Sequence, residues 1–269
     1  MTRLDGSVVL ITGAGGGLGR SHAIEVARRG ADLVLFDLGD GHRDAEPGYT
    51  LANQSGLNET ARSVRELGRR CLICTGDVRR QTDLDRAVER AIRDYGRIDS
   101  LVVNAGIIVT SPVWETTREE WDLLMGTNLT GAWQTMKAVV PHMISNNHGR
   151  IVVVASEAGL KGFANIGAYA ASKAGLIVLS KSLAIELGSH LVTVNVVCPG
   201  SIPTGMNHGV AMRLGRDWDQ LMTEFRQDQV LPVALEPSDV SHAVAFLLSD
   251  DARYVTGAVI CVDAGGSVL

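Results

Sequence analysis

Short apolar runs rich in β-branched residues recur along the chain, at Val8–Thr12, Asp32–Phe36, Leu72–Thr75, Ser100–Val103, Ile151–Val154, Val192–Val197 and Val259–Val262. Between them apolar positions return at helical spacing, as in Arg20–Arg29, Leu84–Tyr95, Trp121–Ile144 and Ala168–Leu187. Strands with so little polar alternation imply a parallel sheet covered by helices on both faces. No repeat or interdomain linker interrupts the rhythm. The expected architecture is therefore α/β, one doubly wound domain over residues 1–269 with a mostly parallel, seven-stranded sheet. Two segments fall outside the pattern. Residues Gly39 to Gly56 are polar and non-periodic and read as a long insert loop. Residues Ser201 to Leu231, irregularly helical, lie where a lid over a ligand site belongs.

Composition narrows the class. Of the 269 residues, 45% are hydrophobic and 20% charged, which excludes intrinsic disorder. No apolar run approaches the ~18 residues of a membrane span. Met1 to Ser7 lack a secretory leader pattern. A net charge of −5 leaves no basic footprint for nucleic acid. A cytoplasmic protein with neither a membrane nor a nucleic-acid partner is expected. Cys71 and Cys74 form a C-x-x-C, but in a strand an odd offset sends the side chains to opposite faces. No second Cys pair or nearby His completes a shell, so no metal is expected.

The chemistry concentrates at the ends of the strands. The first strand runs into Thr12-Gly-Ala-Gly-Gly-Gly-Leu-Gly19 and then a helix. Gly13, Gly15, Gly17 and Gly19, with Leu18, let backbone N–H groups and a helix N-terminus approach a pyrophosphate. The second strand ends at Asp37, whose carboxylate can accept from ribose hydroxyls and repels a 2′-phosphate. Position 16 is Gly and position 38 is Leu, and Arg20 is expected to point away along its helix, so NAD is expected rather than NADP. Tyr169 and Lys173 are four residues apart on one helix face. A cation beside a phenol favours the phenolate and brings its pKa toward the working range. Ser156 follows the fifth strand, Asn128 lies beyond the fourth, and Asn104-Ala-Gly106 ends the fourth.

Taken together, these motifs make the whole chain similar to the short-chain dehydrogenase/reductase superfamily, which has a Rossmann-type fold. The resemblance rests on the TGxxxGxG turn, Asp77-Val78, Asn104-Ala-Gly106, the Ser156, Tyr169 and Lys173 set, and Pro199-Gly200 after the sixth strand. It implies that Tyr169 is the acid–base residue and that Ser156 holds the substrate oxygen. Lys173 would lower the tyrosine pKa and hold the nicotinamide ribose, and Asn128 would anchor a proton-relay water. Asp77 and Val78 would contact adenine, Leu38 would follow the ribose carboxylate, and Asn104, Ala105 and Gly106 would line the adenosine side. Pro199, Gly200, Ile202 and Thr204 would border the nicotinamide. Val103 and Ala155 depart from the family's usual Asn and Ser without removing a group that the mechanism uses.

A narrower resemblance, carried by Gly19-Arg-Ser-His-Ala23, the insert after Asp37, Gly159-Leu-Lys161, Asn165-Ile-Gly167 and Val262-Asp-Ala-Gly265, is to the mycofactocin-associated, carveol-dehydrogenase-like members. It implies tightly held, non-exchanging NAD and an external redox carrier. Homotetramers are usual in the superfamily. The expected activity is hydride transfer between NAD and a secondary alcohol or ketone. Two alternatives stay open. The glycine turn and Asp37-Leu-Gly39 also resemble 3-hydroxyacyl-CoA dehydrogenase domains, whose thioester substrates would favour basic residues such as Arg213 and Arg216 at the mouth. A non-catalytic nicotinamide-binding sensor is the other, although it has no need of an activated tyrosine. Ile202, Met206, Val210, Met212 and Leu221 in the lid suit either an apolar substrate or simple packing on the domain.

Overall fold

The computed structural model describes residues 3–41 and 47–269. Residues 42–46 of the insert and residues 1–2 of the N-terminal stretch lie outside the described residues. Seven strands, β1 (Val8–Thr12), β2 (Asp32–Asp37), β3 (Cys71–Thr75), β4 (Ser100–Val103), β5 (Gly149–Val154), β6 (Val192–Pro199) and β7 (Val259–Val262), form one sheet in the order β3-β2-β1-β4-β5-β6-β7. Every pairing is parallel. The strand order reverses between β1 and β4, so the crevice outside their C-terminal ends is where such a sheet binds ligands.

Alternate strand residues feed two cores. Val9 and Ile11 pack with α1 (Gly17–Arg28), α2 (Gln54–Glu66) and α9 (Pro237–Leu248), whereas Val8 and Leu10 join the face carrying α3 (Gln81–Tyr95), α5 (Gly131–Asn146) and α6 (Gly167–Leu187). The period-2 side-chain alternation, with both faces covered, explains why the strands read as unbroken apolar runs. Cys71 and Cys74 part as expected. Cys74 enters the α3 side, and Cys71 packs against the other.

The single helix expected over Trp121–Ile144 is broken. α4 (Arg118–Met125) opens with a capping box, in which Glu120 N–H donates to Thr117 Oγ1 at 3.1 Å and Thr117 N–H to Glu120 Oε2 at 3.2 Å. A π-helical turn, Gly126–Thr130, then separates α4 from α5. Such widened turns are frequent at functional sites, and this one carries Asn128. The insert is also shorter than expected. Asn53 caps α2 by accepting from Gly56 N–H at 3.0 Å, so residues 54–56 belong to the helix. The lid region contains α7 (Gly205–Arg213) and α8 (Trp218–Gln227).

With its 3-10 extension, α6 is long and apolar enough by composition to cross a membrane. One face packs on β6 and buries Tyr169, Ser172 and Lys173, while the opposite face leaves Val178 and Ile185 exposed.

Candidate active site

The crevice is a cavity of about 920 Å³, reached by the ends of β1, β2, β4, β5 and β6 together with the insert and the lid. At its centre Tyr169 stands in the first turn of α6, and Lys173 follows one turn later. Ser156 lies just past β5. Its Oγ accepts from Ala158 N–H at 3.1 Å, and its hydroxyl is hydrogen-bonded to that of Tyr169. Lys173 Nζ donates to Val154 O at 2.9 Å and lies 5.7 Å from the centre of the Tyr169 ring.

Burial pushes the Tyr169 phenol up to about 12, and the Ser156 hydrogen bond offsets only part of that. It also pulls the Lys173 ammonium down to about 8. At neutral pH Tyr169 is therefore a neutral phenol, while Lys173, even lowered, still carries its proton and its positive charge beside that ring. Glu157, next to Ser156, is also driven up by burial, to about 7.

Asn128 is fully buried but does not face the cavity. Its Oδ1 accepts from Ile107 N–H at 2.8 Å, while Nδ2 donates to Ile107 O at 2.9 Å and to Ser172 Oγ at 3.1 Å. Both Nδ2 hydrogens are used, so the side chain ties the π-turn to α6 and to the backbone just beyond Gly106. At Gly106 an added Cβ would lie 3.4 Å from Lys173 Nζ, so the glycine keeps the ammonium accessible.

The glycine turn is stitched to β4. Asn104 Nδ2 donates to Thr12 O at 3.0 Å and to Gly13 O at 3.2 Å, and Thr12 Oγ1 accepts from Asn104 and Ala105 N–H. Gly13 has φ +68°, and a Cβ there would meet Ala105 Cα at 2.8 Å. Gly19 faces inward, where a Cβ would lie 2.0 Å from Gly13 O; it seats α1 on the turn and does not line the cavity. Among the described residues no side chain caps α1, whose N-cap is Gly16, so its first-turn N–H groups are left uncapped at the crevice. That cradle fits a pyrophosphate.

Asp37 Oδ2 accepts from Gly15 N–H and Oδ1 from Leu38 N–H, both at 2.7 Å, placing the carboxylate at the turn. Arg20 does not turn away: it lines the cavity beside the glycine turn, but its guanidinium is engaged there, donating to Gly15 O, Gly56 O and Thr60 and pairing with Glu59 at 2.9 Å. Asp77 and Val78 line the far end. The Asp77 carboxylate, however, is gripped by Arg79 at 2.6 Å; against the cost of burial, that pairing holds it below the usual carboxylate range. Pro199, Gly200, Ile202 and Thr204 also line the cavity, with Thr204 lying against Gly17 of the glycine turn.

In the lid, Ile202, Met206, Val210 and Leu221 face the cavity, but Met212 is 78% exposed and points away. Arg213 pairs with Glu120, and Arg216 with Glu224.

A family model described as enoyl-(acyl carrier protein) reductase matches residues 13–267. The (−)-trans-carveol dehydrogenase of Rhodococcus erythropolis is 41% identical over 278 residues, spanning 98% of this chain and 99% of its own. The chain belongs to the short-chain dehydrogenase/reductase family. Solved members superpose closely. Carveol dehydrogenase from Mycobacterium avium in complex with NAD has a TM-score of 0.94 and 36% identity, with both chains covered completely. A short-chain dehydrogenase from Mycobacterium paratuberculosis bound to NAD has a TM-score of 0.90 and 33% identity, covering 99% of this chain and 100% of its own.

Within this family frame, the structure brings forward one group that sequence reasoning did not single out. Tyr49, from the insert, reaches the Tyr169 end of the cavity. A lone aromatic in a polar insert was the available signal.

Proposed function

We propose that the protein is an NAD-dependent oxidoreductase that moves a hydride between the cofactor and the carbon of an apolar secondary alcohol or ketone. The observation that carries this reading is the Ser156, Tyr169 and Lys173 cluster at one end of a cavity whose other end holds an open glycine turn and the Asp37 carboxylate. In alcohol oxidation Ser156 and Tyr169 hold the substrate oxygen and Tyr169 takes its proton; in ketone reduction Tyr169 returns it. Bound NAD supplies the hydride site and, when oxidised, a positive charge beside the phenol. Lys173, pinned by Val154 O, keeps two further N–H donors for the nicotinamide ribose and adds its own charge. Burial alone leaves Tyr169 near 12, so both charges are needed to bring the phenolate within reach of neutral pH.

Asp37 supports NAD, because a 2′-phosphate would meet a carboxylate with Arg20 already engaged. Asn128 acts by position, fixing the 107 backbone and the adjoining turn, and a relay water would be held through its main chain.

The insert supports a retained cofactor with an external redox carrier as electron acceptor. Ala52 lies on the glycine turn, within 3.0 Å of where a Gly15 Cβ would be, and Pro47 O accepts from Arg213 of α7 at 3.2 Å. Residues 47–53 of the insert thus reach from the lid to the glycine turn along the crevice. Opening such a strap costs contacts, which slows dissociation. The pairing of Arg213 and Arg216 with carboxylates argues against a thioester substrate, whose phosphates would need free cations. An apolar outer face, with Val178 64% and Ile185 84% exposed on α6 and Trp133 exposed on α5, supports a homo-oligomer.

The test is a panel of apolar secondary alcohols assayed with added NAD and, separately, with an artificial electron acceptor. Nucleotide released on denaturing desalted protein is measured alongside. Turnover only with the acceptor, together with near-stoichiometric NAD(H), fits retention. Rapid turnover by cofactor-free protein with added NAD removes retention and leaves the dehydrogenase. No turnover with either acceptor overturns the reading.

A further inference from the structure

We infer that Tyr49, delivered by the insert, is a specificity-determining residue that forms one wall of the substrate end of the cavity. The inference rests on the oxidoreductase reading above and goes beyond it by assigning the limit on substrate size.

Three contacts hold Tyr49 in place. Its hydroxyl accepts the Ile108 N–H at 3.1 Å, just past Gly106. Its ring lies against Gly209 in α7, where an added Cβ would fall 2.4–2.8 Å from the ring and Cβ atoms of Tyr49. The preceding backbone is clamped by Arg213, whose guanidinium donates to Pro47 O at 3.2 Å and pairs with Glu120 of the α4 capping box. The ring then joins one apolar cluster with Ile108, Val210, Met206 and Tyr169. Gly209 is thus the complement of the Tyr49 ring, a small residue facing a large one across the boundary between insert and lid. Removing that ring enlarges the space near the acid–base group. Adding a methyl group at 209 drives the ring toward the space the substrate would occupy.

A residue that only anchored the insert would change all substrates alike. A wall residue changes them by size, and one methylene more or less in an apolar pocket is worth roughly 10–200-fold in discrimination. The experiment follows a ladder of secondary alcohols, from small to bulky cyclic, through wild type, Tyr49→Ala, Tyr49→Phe, Gly209→Ala and the double variant Tyr49→Ala with Gly209→Ala. Both kcat/KM and the calorimetric Kd of each alcohol are measured.

Tyr49→Ala is expected to raise the bulky-to-small ratio about tenfold or more. Tyr49→Phe keeps the ratio, because the ring stays. Gly209→Ala lowers the ratio when Tyr49 is present and leaves it unchanged when combined with Tyr49→Ala, where no ring remains to be displaced. Equal proportional changes for every alcohol, or the same Gly209→Ala effect with and without the Tyr49 ring, overturn the inference. If wild type turns over no alcohol, the oxidoreductase reading fails by itself. The Kd ladder still decides whether Tyr49 sets the size limit, because a flat ladder across the variants rejects it without any turnover.

Discussion

His22 provides a stability test of the helix that carries the glycine turn. It lies fully buried on α1, facing α9, with Nδ1 2.8 Å from Ser241 Oγ, which in turn sits 2.7 Å from Ser21 Oγ. Nε2 has no partner among the described residues. Burial, which disfavours the imidazolium, lowers its pKa from 6.5 to about 3. The folded protein therefore keeps His22 neutral down to about pH 3, whereas the unfolded chain takes up a proton below pH 6.5. Because the unfolded state binds more protons in that window, the stabilisation is present above pH 6.5 and is lost as pH falls toward 3. At about 1.36 kcal/mol per pKa unit, acidification from pH 7.5 to 4.5 removes roughly 2–3 kcal/mol through this one side chain. The perturbation is His22→Asn, which can still reach Ser241 but cannot titrate. Urea unfolding of both proteins at the two pH values, at one matched concentration, gives the difference. The variant is expected to be less stable at pH 7.5, yet to lose about 2–3 kcal/mol less on acidification. Glu157, whose pKa is raised to about 7, contributes equally to both proteins and cancels. Equal acid losses in the two proteins would refute the reasoning.

Three other outcomes follow from the site. Tyr169→Phe removes the proton acceptor but little packing, so kcat is expected to fall on the order of 10²–10⁴-fold while NAD(H) binding, read by nucleotide fluorescence, is retained; near-normal turnover would unseat Tyr169. Asp37→Ala loses the Gly15 and Leu38 hydrogen bonds as well as the repulsion of a 2′-phosphate. NAD is therefore expected to bind less tightly, by about 1.5–3 kcal/mol for each ribose hydroxyl that would donate to the carboxylate, while the NAD-to-NADP affinity ratio in parallel titrations narrows or reverses. Gly19→Ala drives a methyl group into Gly13 O and is expected to cost about 1–3 kcal/mol or more in a thermal melt. It should weaken nucleotide binding because the turn itself shifts. A variant with native melting and binding would show that the turn has slack.

Short-range patterns in the chain determined much of this protein. The strand runs are legible because a parallel sheet covered on both faces needs apolar residues at every position. β1 and β4, buried at every position, accordingly begin and end where the apolar runs do. The glycine turn, Asp37 and the Tyr169–Lys173 spacing are also local, since each follows from a turn conformation, a strand end or a helix repeat. Only the tertiary structure decided where long-range partners meet. Tyr49 reaches Gly209, 160 positions away, and nothing in a polar insert announces that destination. The break at Asn128 follows from its amide's engagement with Ile107 and Ser172, which helical periodicity over 121–144 does not register. In each case a side chain's role depends on which distant surface packs over it, and one-dimensional spacing encodes only the near neighbours.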